Sequence, residues 1–226
     1  FDLLYKGKEA VDNVTLKLDN GGALKAKRMS KYYHYKGNIY LYLFEQTWFD
    51  DSISLDYSFL AIGSASFLED ISSNGSLTQE STLKLKRCAL LYQDAGVQNF
   101  NIKSYLSAGK NFSNAIDINT SPYINLLDTV NMLNAALAYS AGEDYEKSIL
   151  WSSKLVAIEP SKEMYHIQLI DAYQKSGIDG QLEVINAARQ AIPDSEQIIL
   201  AEVNYYMSIG SNELLIESLD NAIVKD

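Results

Sequence analysis

The same residue types recur along the second half of the chain at a nearly constant spacing. Tyr139 and Tyr173 are separated by 34 positions, and Tyr206 follows Tyr173 after another 33. A spacing of 33 positions also separates three further pairs, Pro160 and Pro193, Gly177 and Gly210, and Leu182 and Leu215. A period of this length accommodates two helices with short connections, and one helical hairpin cannot cover its own apolar face. The spacing therefore predicts stacked helical hairpins.

Helical periodicity covers nearly the whole sequence between the connectors. Ala, Leu, Ile and Tyr recur every three or four residues, no stretch alternates as a half-buried strand would, and the chain has only three Pro. The sequence therefore predicts an all-α chain with helices over 1–18, 22–46, 52–72, 78–95, 100–116, 122–141, 144–158, 162–176, 179–192, 195–209 and 211–224. We expect Gly96, Gly142 and Gly177 to follow helix ends and Pro122 to occupy a first turn.

At these repeats the sequence resembles the tetratricopeptide repeat (TPR) family. The best match covers residues 129–160, where Ala136 takes the small position of the first helix and Tyr139 the aromatic position three residues later. Ser148 takes the small position of the second helix, whereas Leu155 replaces the usual Ala. Small residues at such positions let two helix backbones approach closely.

The resemblance implies one TPR-like domain over residues 1–226, a right-handed α-solenoid of about five hairpins. The repeats look regular over 122–226 and irregular, with longer helices, over 1–121. In this family the first helices of successive hairpins line a concave groove that holds a peptide or a partner helix. Carried over to this sequence, the binding positions are Lys31, His34, Asn38, Tyr42, Lys86, Leu133, Leu137, Asp171, Gln174 and Asn204.

One subgroup of the family holds the C-terminal carboxylate of a peptide with a Lys and an Asn, and His34 and Asn38 fall at those two positions. The rest of that polar clamp is missing here, because the following first helices offer Val130, Leu133 and Leu137. The sequence therefore favours a groove with an apolar middle over one that recognises a carboxylate.

Five Tyr lie within eleven residues of the second predicted helix: Tyr32, Tyr33, Tyr35, Tyr40 and Tyr42. Two interpretations stay open for this cluster. The rings can wedge between neighbouring helices, with their hydroxyl groups reaching water or backbone. Alternatively they form a recognition surface, since Tyr offers a large contact area at a low entropic cost.

The sequence offers no complete metal site. Glu163 and His166 have the i, i+3 spacing found in di-iron bundles, which require a second pair of the same kind. The residue three before His34 is Lys31, so that second pair is missing. We expect His166 to be a surface or groove residue and the chain to bind no metal or cofactor.

No catalytic constellation is apparent either. The acidic pairs Asp50-Asp51 and Glu143-Asp144 stand at predicted helix starts, where negative charge offsets unpaired N–H groups, and we expect them to cap helices. Cys88 lies in a helix beside Ala89 and Leu90, and we expect it to pack as a small apolar residue. The prediction is that the chain is not an enzyme.

Charge is distributed unevenly along the chain. Residues 1–113 hold 13 Lys and Arg against 12 Asp and Glu, whereas residues 114–226 hold 6 against 17. The acidic half repels phosphate backbones, so we expect no nucleic-acid partner there, and no run of about 18 apolar residues predicts a membrane span. The basic clusters in 25–36 and 84–87 are either a solvated face or a site for an acidic ligand. The acidic end of a second copy would also suit them, which leaves head-to-tail self-association open as an alternative.

The predicted function is a non-catalytic interaction module or scaffold that binds a peptide or a partner protein in its groove. The alternative from another class is an accessory protein of a bacterial cell envelope, which captures glycans or other ligands through the Tyr-rich end. A signal sequence before Phe1 would favour the periplasm or envelope, and a plain Met would favour a cytoplasmic adaptor. The localisation stays open between the two.

Overall fold

The structure, a computed structural model, describes residues 2–49 and 55–223. These residues form eleven α-helices and no strand. The helices are α1 (Asp2–Asp19), α2 (Ala26–Phe49), α3 (Tyr57–Ser72), α4 (Thr78–Asn101), α5 (Tyr105–Asn119), α6 (Thr129–Ala141), α7 (Tyr145–Ile158), α8 (Glu163–Ser176), α9 (Gln181–Ala191), α10 (Glu196–Ser208) and α11 (Asn212–Ile223). The prediction of an all-α chain is confirmed, and each predicted helix has a counterpart.

The chain divides into two compact units. Unit 1 comprises residues 1–92 and 114–127, and unit 2 comprises residues 93–113 and 128–226. Helices α1–α3 therefore belong to unit 1 and helices α6–α11 to unit 2, while α4 and α5 each contribute to both.

The core of unit 1 is built around α2, α3 and the first part of α4. Phe44, Leu60, Phe67 and Leu85 are fully buried within one apolar cluster. Helices α2 and α4 run side by side in the same direction. Lys84 Nζ donates to Tyr42 Oη and Arg87 Nε donates to Glu45 Oε1, each over 3.0 Å. A step of three residues along α4 therefore matches a step of three residues in the same direction along α2.

Glycines inside the helices let aromatic rings approach the backbone. The ring of Phe67 on α3 covers Gly37 of α2 so closely that a Cβ atom at residue 37 would lie 2.6 Å from the ring. The same arrangement recurs twice in unit 2, with Phe112 against Gly96 and Tyr139 against Gly109. These positions tolerate no side chain without displacement of a ring.

The predicted end of α4 at Ala95-Gly96 is wrong. The helix continues through Gly96 to Asn101. A Cβ atom at residue 96 would lie 2.6 Å from the Phe112 ring, so this glycine serves close packing rather than a helix end. The other two predicted helix ends are confirmed, because Gly142 follows α6 and Gly177 follows α8 with a positive φ of 65°.

The predicted start of α6 at Pro122 is also wrong. The helix begins at Thr129, since the Asp128 side chain accepts a hydrogen bond from the backbone N–H of Asn131 at 3.0 Å and caps the helix there. Before it, Asn125 adopts a positive φ of 51°, which a regular helix does not allow.

The hairpins of unit 2 pack in chain order, from α6 on α7 to α10 on α11. The first helices of these hairpins, α6, α8 and α10, also contact one another. Ser140 on α6 donates to Asp171 on α8 over 3.5 Å, and Ser195 at the start of α10 donates to Glu163 at the start of α8. Because two short connections reverse the chain twice between them, successive first helices run in the same direction.

The burial pattern repeats with the spacing seen in the sequence. Three residues of α6, Met132, Ala135 and Ala138, are buried. The residues 34 positions later, His166, Leu169 and Ala172 of α8, are buried as well. The two helices therefore share buried positions at the repeat spacing, in a repeat-like architecture.

We expect Ala136→Leu to lower the free energy of unfolding by about 1–3 kcal/mol, because it overpacks the α6–α7 contact. Ala136 is fully buried, and its carbonyl oxygen accepts a hydrogen bond from Ser148 Oγ at 2.9 Å. Ala141→Leu at the exposed end of the same helix is the matched control. Urea denaturation compares the two, and equal stability of both variants would contradict the close approach at Ala136.

No helix in the described part of the chain is long and apolar enough to cross a lipid bilayer.

Candidate functional site

The first helices of unit 2 carry exposed apolar side chains on one face. On α6, Val130 is 63% exposed and Leu137 is 41% exposed. The two residues are seven positions apart, which places them on the same side of the helix. The residue 34 positions after Val130 is Met164 of α8, which is also exposed. Equivalent positions on neighbouring helices therefore present apolar groups to solvent.

Two further residues extend this face. Leu200 of α10 is exposed and lies 33 positions after Ile167 of α8, which in turn lies 34 positions after Leu133 of α6. On the other side of α6, Val97 of α4 is exposed. We refer to Val97, Val130, Leu137, Met164 and Leu200 as the first-helix surface.

The first-helix surface deepens into a pocket between α4, α5 and α6. The pocket has a volume of about 160 Å³ and is lined by Val97, Phe100, Asn101, Phe112, Asn134 and Leu137. A cavity of about 150 Å³ with apolar walls holds a benzene ring. The pocket therefore has room for one leucine- or phenylalanine-sized anchor, with two amide side chains at its wall.

The ten predicted binding residues are found in different environments. Six are exposed: Lys31, Tyr42, Lys86, Leu137, Gln174 and Asn204. Three are partly buried: Asn38, Leu133 and Asp171. His34 lies inside the fold instead, at 3% exposure, because its ring hydrogen-bonds with buried partners. Of the ten, only Leu137 lines the pocket.

No protein-family model matches the chain, and no curated protein matches it in sequence. The TPR resemblance therefore rests on the residue types and spacings themselves.

A buried polar network joins α2, α3 and α4 within unit 1. Asp70, which is fully buried, accepts hydrogen bonds from Ser30 at 2.5 Å and from Ser81 at 2.6 Å. Ser81 Oγ lies 2.8 Å from His34 Nδ1, and because the Ser81 proton goes to Asp70, His34 Nδ1–H is the donor. His34 Nε2 then accepts from Asn38 Nδ2 at 2.9 Å. The network ties three helices together.

This network lacks the geometry of a nucleophilic triad. In such a triad the His stands between the Ser and the Asp and takes the proton of the nucleophile. Here Ser81 stands between His34 and Asp70, and its hydroxyl donates to the carboxylate. All three side chains are buried, so no substrate reaches them. The arrangement is structural.

The side chains of Cys88 and His166 are also buried. Burial raises the pKa of the Cys88 thiol to about 12, and the nearby charge of Glu45 adds to the effect. The thiol is therefore protonated at neutral pH, which removes its nucleophilic form. The expectation that His166 is a surface or groove residue is wrong, because the ring is buried and Nε2 lies 2.7 Å from the carbonyl oxygen of Pro160.

Possible metal ligands do not cluster. Within residues 2–49 and 55–223, no group of three His, Cys, Asp or Glu side chains is placed to hold a metal ion. Of the acidic pairs, Asp144 caps α7 by accepting from the backbone N–H of Lys147 at 3.3 Å. Asp50-Asp51 lies outside the described residues.

The Tyr cluster divides between packing and exposure. Tyr32 and Tyr40 are buried against α1, where their hydroxyl groups lie 2.5 Å from Thr15 Oγ1 and Asp12 Oδ1. Burial and the hydrogen bond to Asp12 both raise the pKa of Tyr40. Burial alone would raise the pKa of Asp12, but hydrogen bonds from Lys8 and Tyr40 lower it overall.

The outer members of the cluster are Tyr35 and Tyr42, which are both exposed on α2. Lys84 Nζ stands 4.8 Å from the centre of the Tyr42 ring. The ring is therefore engaged with a cation of its own chain. The packing interpretation is therefore confirmed for Tyr32 and Tyr40, whereas Tyr35 and Tyr42 are exposed to solvent.

Proposed function

We propose that the chain is a non-catalytic protein-interaction module, a right-handed TPR-like α-solenoid that binds a partner segment on its first-helix surface. A single exposed Leu or Val is ordinary on a folded protein. A row of them on three successive first helices, with Val130 and Met164 at equivalent positions, is typical of an interaction site. The observation that carries the proposal is this row, with the pocket at Leu137 beside it.

The partner that suits this surface is an amphipathic segment with one large apolar anchor and flanking Lys or Arg residues. The pocket beside Leu137 accommodates the anchor. Unit 2 holds 8 Lys and Arg against 17 Asp and Glu, so it attracts basic chains and repels acidic ones. Helix α6 itself contains no charged residue, which leaves the centre of the surface apolar.

Burial of the anchor would supply the affinity, and charge would supply the selectivity. A fully buried Leu or Phe side chain contributes on the order of 1.5–3 kcal/mol. The side chains beneath the surface, among them Ala135, Ala138 and Phe112, are already packed, so binding orders the partner rather than the module. Opposite charges speed the encounter and fix the orientation of the segment.

We expect Leu137→Asp to weaken binding of such a segment about tenfold or more, because it places a charge at the mouth of the apolar pocket. The matched control is Leu150→Asp on the second helix α7, where the leucine is 49% exposed and lies away from the pocket. Both substitutions are at exposed sites, so both variants are expected to fold, which circular dichroism verifies.

A displayed library of short random peptides provides the ligand for this test. Selection against the whole chain is expected to enrich peptides with one aromatic or Leu anchor and several Lys or Arg residues. Fluorescence anisotropy then gives the Kd of an enriched peptide for the wild type and both variants. Enrichment of no peptide, or an equal Kd for Leu137→Asp and Leu150→Asp, would contradict the proposed function.

A further inference from the structure

Two parts of the chain carry opposite and unbalanced charge. Between Asn20 and Phe44 there are five Lys and Arg and no Asp or Glu. Between Ser176 and Leu219 there are seven Asp and Glu and one Arg. That one Arg is occupied, since Arg189 Nε lies 3.2 Å from Glu202 Oε2 in a largely buried pair. Of the first-helix surface, only Leu200 lies within either of these two stretches. The proposed partner site therefore does not account for their charge.

The positive charge collects at the junction of α1 and α2, a surface that we call the basic end. It comprises Leu16, Lys17, Lys25, Lys27, Arg28 and Lys31, all of which are exposed. The two helices meet there because Leu18, Leu24 and Met29 pack in one apolar cluster. In the part of the chain that the structure describes, none of the five cations has an acidic partner.

The negative charge collects on the last helix, on a surface that we call the acidic end. It comprises Glu213, Ile216, Glu217 and Leu219 of α11, all of which are exposed. Ser218 is buried against α10, where it donates to Glu202 at 2.8 Å, so these four residues lie on the open side of the helix, away from that contact. Ile216 is 59% exposed, which leaves an apolar group between two carboxylates.

We propose that the acidic end of one copy of this chain docks on the basic end of a second copy. Each surface combines an excess of charge of one sign, five cations against the carboxylate of Asp19 at the basic end, with exposed apolar side chains, Leu16 on one and Ile216 with Leu219 on the other. Opposite charges then meet at the rim while the apolar groups meet at the centre, the usual arrangement of a protein interface. A second copy is the occupant because both complementary surfaces belong to the same chain.

The association is head to tail. The two surfaces differ, so the contact is heterologous and a pair of copies keeps one free surface of each kind. Such contacts build a closed ring where the rotation between copies closes and an open chain where it does not, and in both cases the mass rises with protein concentration. The residues involved are separate from the first-helix surface, so the two proposals stand or fall independently.

Analytical ultracentrifugation of the whole chain tests the proposal. At about 50 mM salt the weight-average mass is expected to rise above the 25.3 kDa of one chain as the protein concentration increases. At about 500 mM salt, where surface charges are screened, the mass is expected to return to that of the monomer.

A charge swap gives the sharper readout. Lys27→Glu/Arg28→Glu neutralises the basic end, because Lys17, Lys25 and Lys31 then face two new carboxylates and that of Asp19, and Glu213→Lys/Glu217→Lys reverses the acidic end. Each double variant alone is expected to remain monomeric at low salt, because the first has no excess positive charge at its basic end and the second carries positive charge at both ends. An equimolar mixture of the two is expected to associate again, since the unchanged acidic end of the first variant meets the unchanged basic end of the second. Lys103→Glu/Lys110→Glu, which changes the same charge at exposed sites of unit 2, is expected to associate as the wild type does.

Three results would overturn the proposal. The first is a wild-type chain that stays at 25.3 kDa at every concentration in low salt. The second is a mixture of the two double variants that stays monomeric although circular dichroism shows both to be folded. The third is association that the control variant loses to the same extent as the two charge-swapped variants do.

Discussion

Asp70→Ala is expected to lower the free energy of unfolding by about 3 kcal/mol, one of the largest effects for a polar residue in this chain. The carboxylate is fully buried and accepts hydrogen bonds from Ser30 and Ser81, which hold α2 and α4 against α3. Without it both hydroxyl groups lose their acceptor inside the fold, and each buried unsatisfied group costs about 1–3 kcal/mol. Urea denaturation followed by circular dichroism measures the loss.

The control for this prediction is Asp94→Ala, because Asp94 is exposed on the same α4 helix. It is expected to change stability by less than about 0.5 kcal/mol. Hydrogen exchange locates the effect, since faster exchange is expected in α2 and α3 of unit 1 and not in α10 of unit 2. Equal stability of Asp70→Ala and Asp94→Ala would show that the network contributes nothing to folding.

Gly37→Ala is expected to lower the free energy of unfolding by about 2 kcal/mol, although Ala is a better helix former than Gly. The new methyl group would stand 2.6 Å from the ring of Phe67, which is fully buried and has no room to retreat. The matched control is Gly7→Ala in α1, where the nearest atom is the flexible end of Ile39 at 3.3 Å. That variant is expected to be as stable as the wild type or more stable.

A double-mutant cycle shows how much of the stability lost in Gly37→Ala comes from the contact with the Phe67 ring. In a Phe67→Leu background the smaller side chain leaves space beside residue 37, so Gly37→Ala is expected to cost about half as much there. Thermal or urea unfolding of the four proteins gives the coupling. An additive result, or a stabilised Gly37→Ala chain, would contradict the packing seen between α2 and α3.

The helices are predictable from the sequence because each one depends on the spacing of apolar residues within its own segment. Apolar spacing gave all eleven helices, and the distance from Tyr139 to Tyr173 gave the equivalence of α6 and α8. Glycine was ambiguous, since the same residue ends a helix at Gly177 and admits a ring at Gly96. Only the position of Phe112, on another helix, distinguishes the two roles. The start of α6 is predicted at Pro122, which fits a first helical turn. The helix begins at Thr129 instead, because the side chain of Asp128 caps it there.

The polar network lay beyond sequence reasoning because its members come from three helices. The TPR resemblance predicts a groove residue at His34, which the structure places inside the fold. Its burial follows from Ser81 on α4 and Asp70 on α3, which no spacing rule connects with it. Met164 lies 34 positions after Val130, which is the repeat spacing. The repeat spacing, applied to Val130, therefore predicts Met164 as the equivalent surface residue of α8. The pocket residue Phe100 lies beyond the predicted end of α4 and was missed for that reason.

The most direct test of the central claim is a pair of distances between α6 and α8, since the claim requires these helices to lie side by side in the same direction. In a Cys88→Ala background, spin labels are placed on Cys substituted at Val130 and Met164, and in a second protein at Val130 and Gln174. Neighbouring helix axes are about 10 Å apart and each residue adds about 1.5 Å along the axis, so the second distance is expected to be roughly 8 Å longer. Equal distances, or a shorter second distance, would contradict a surface shared by successive first helices.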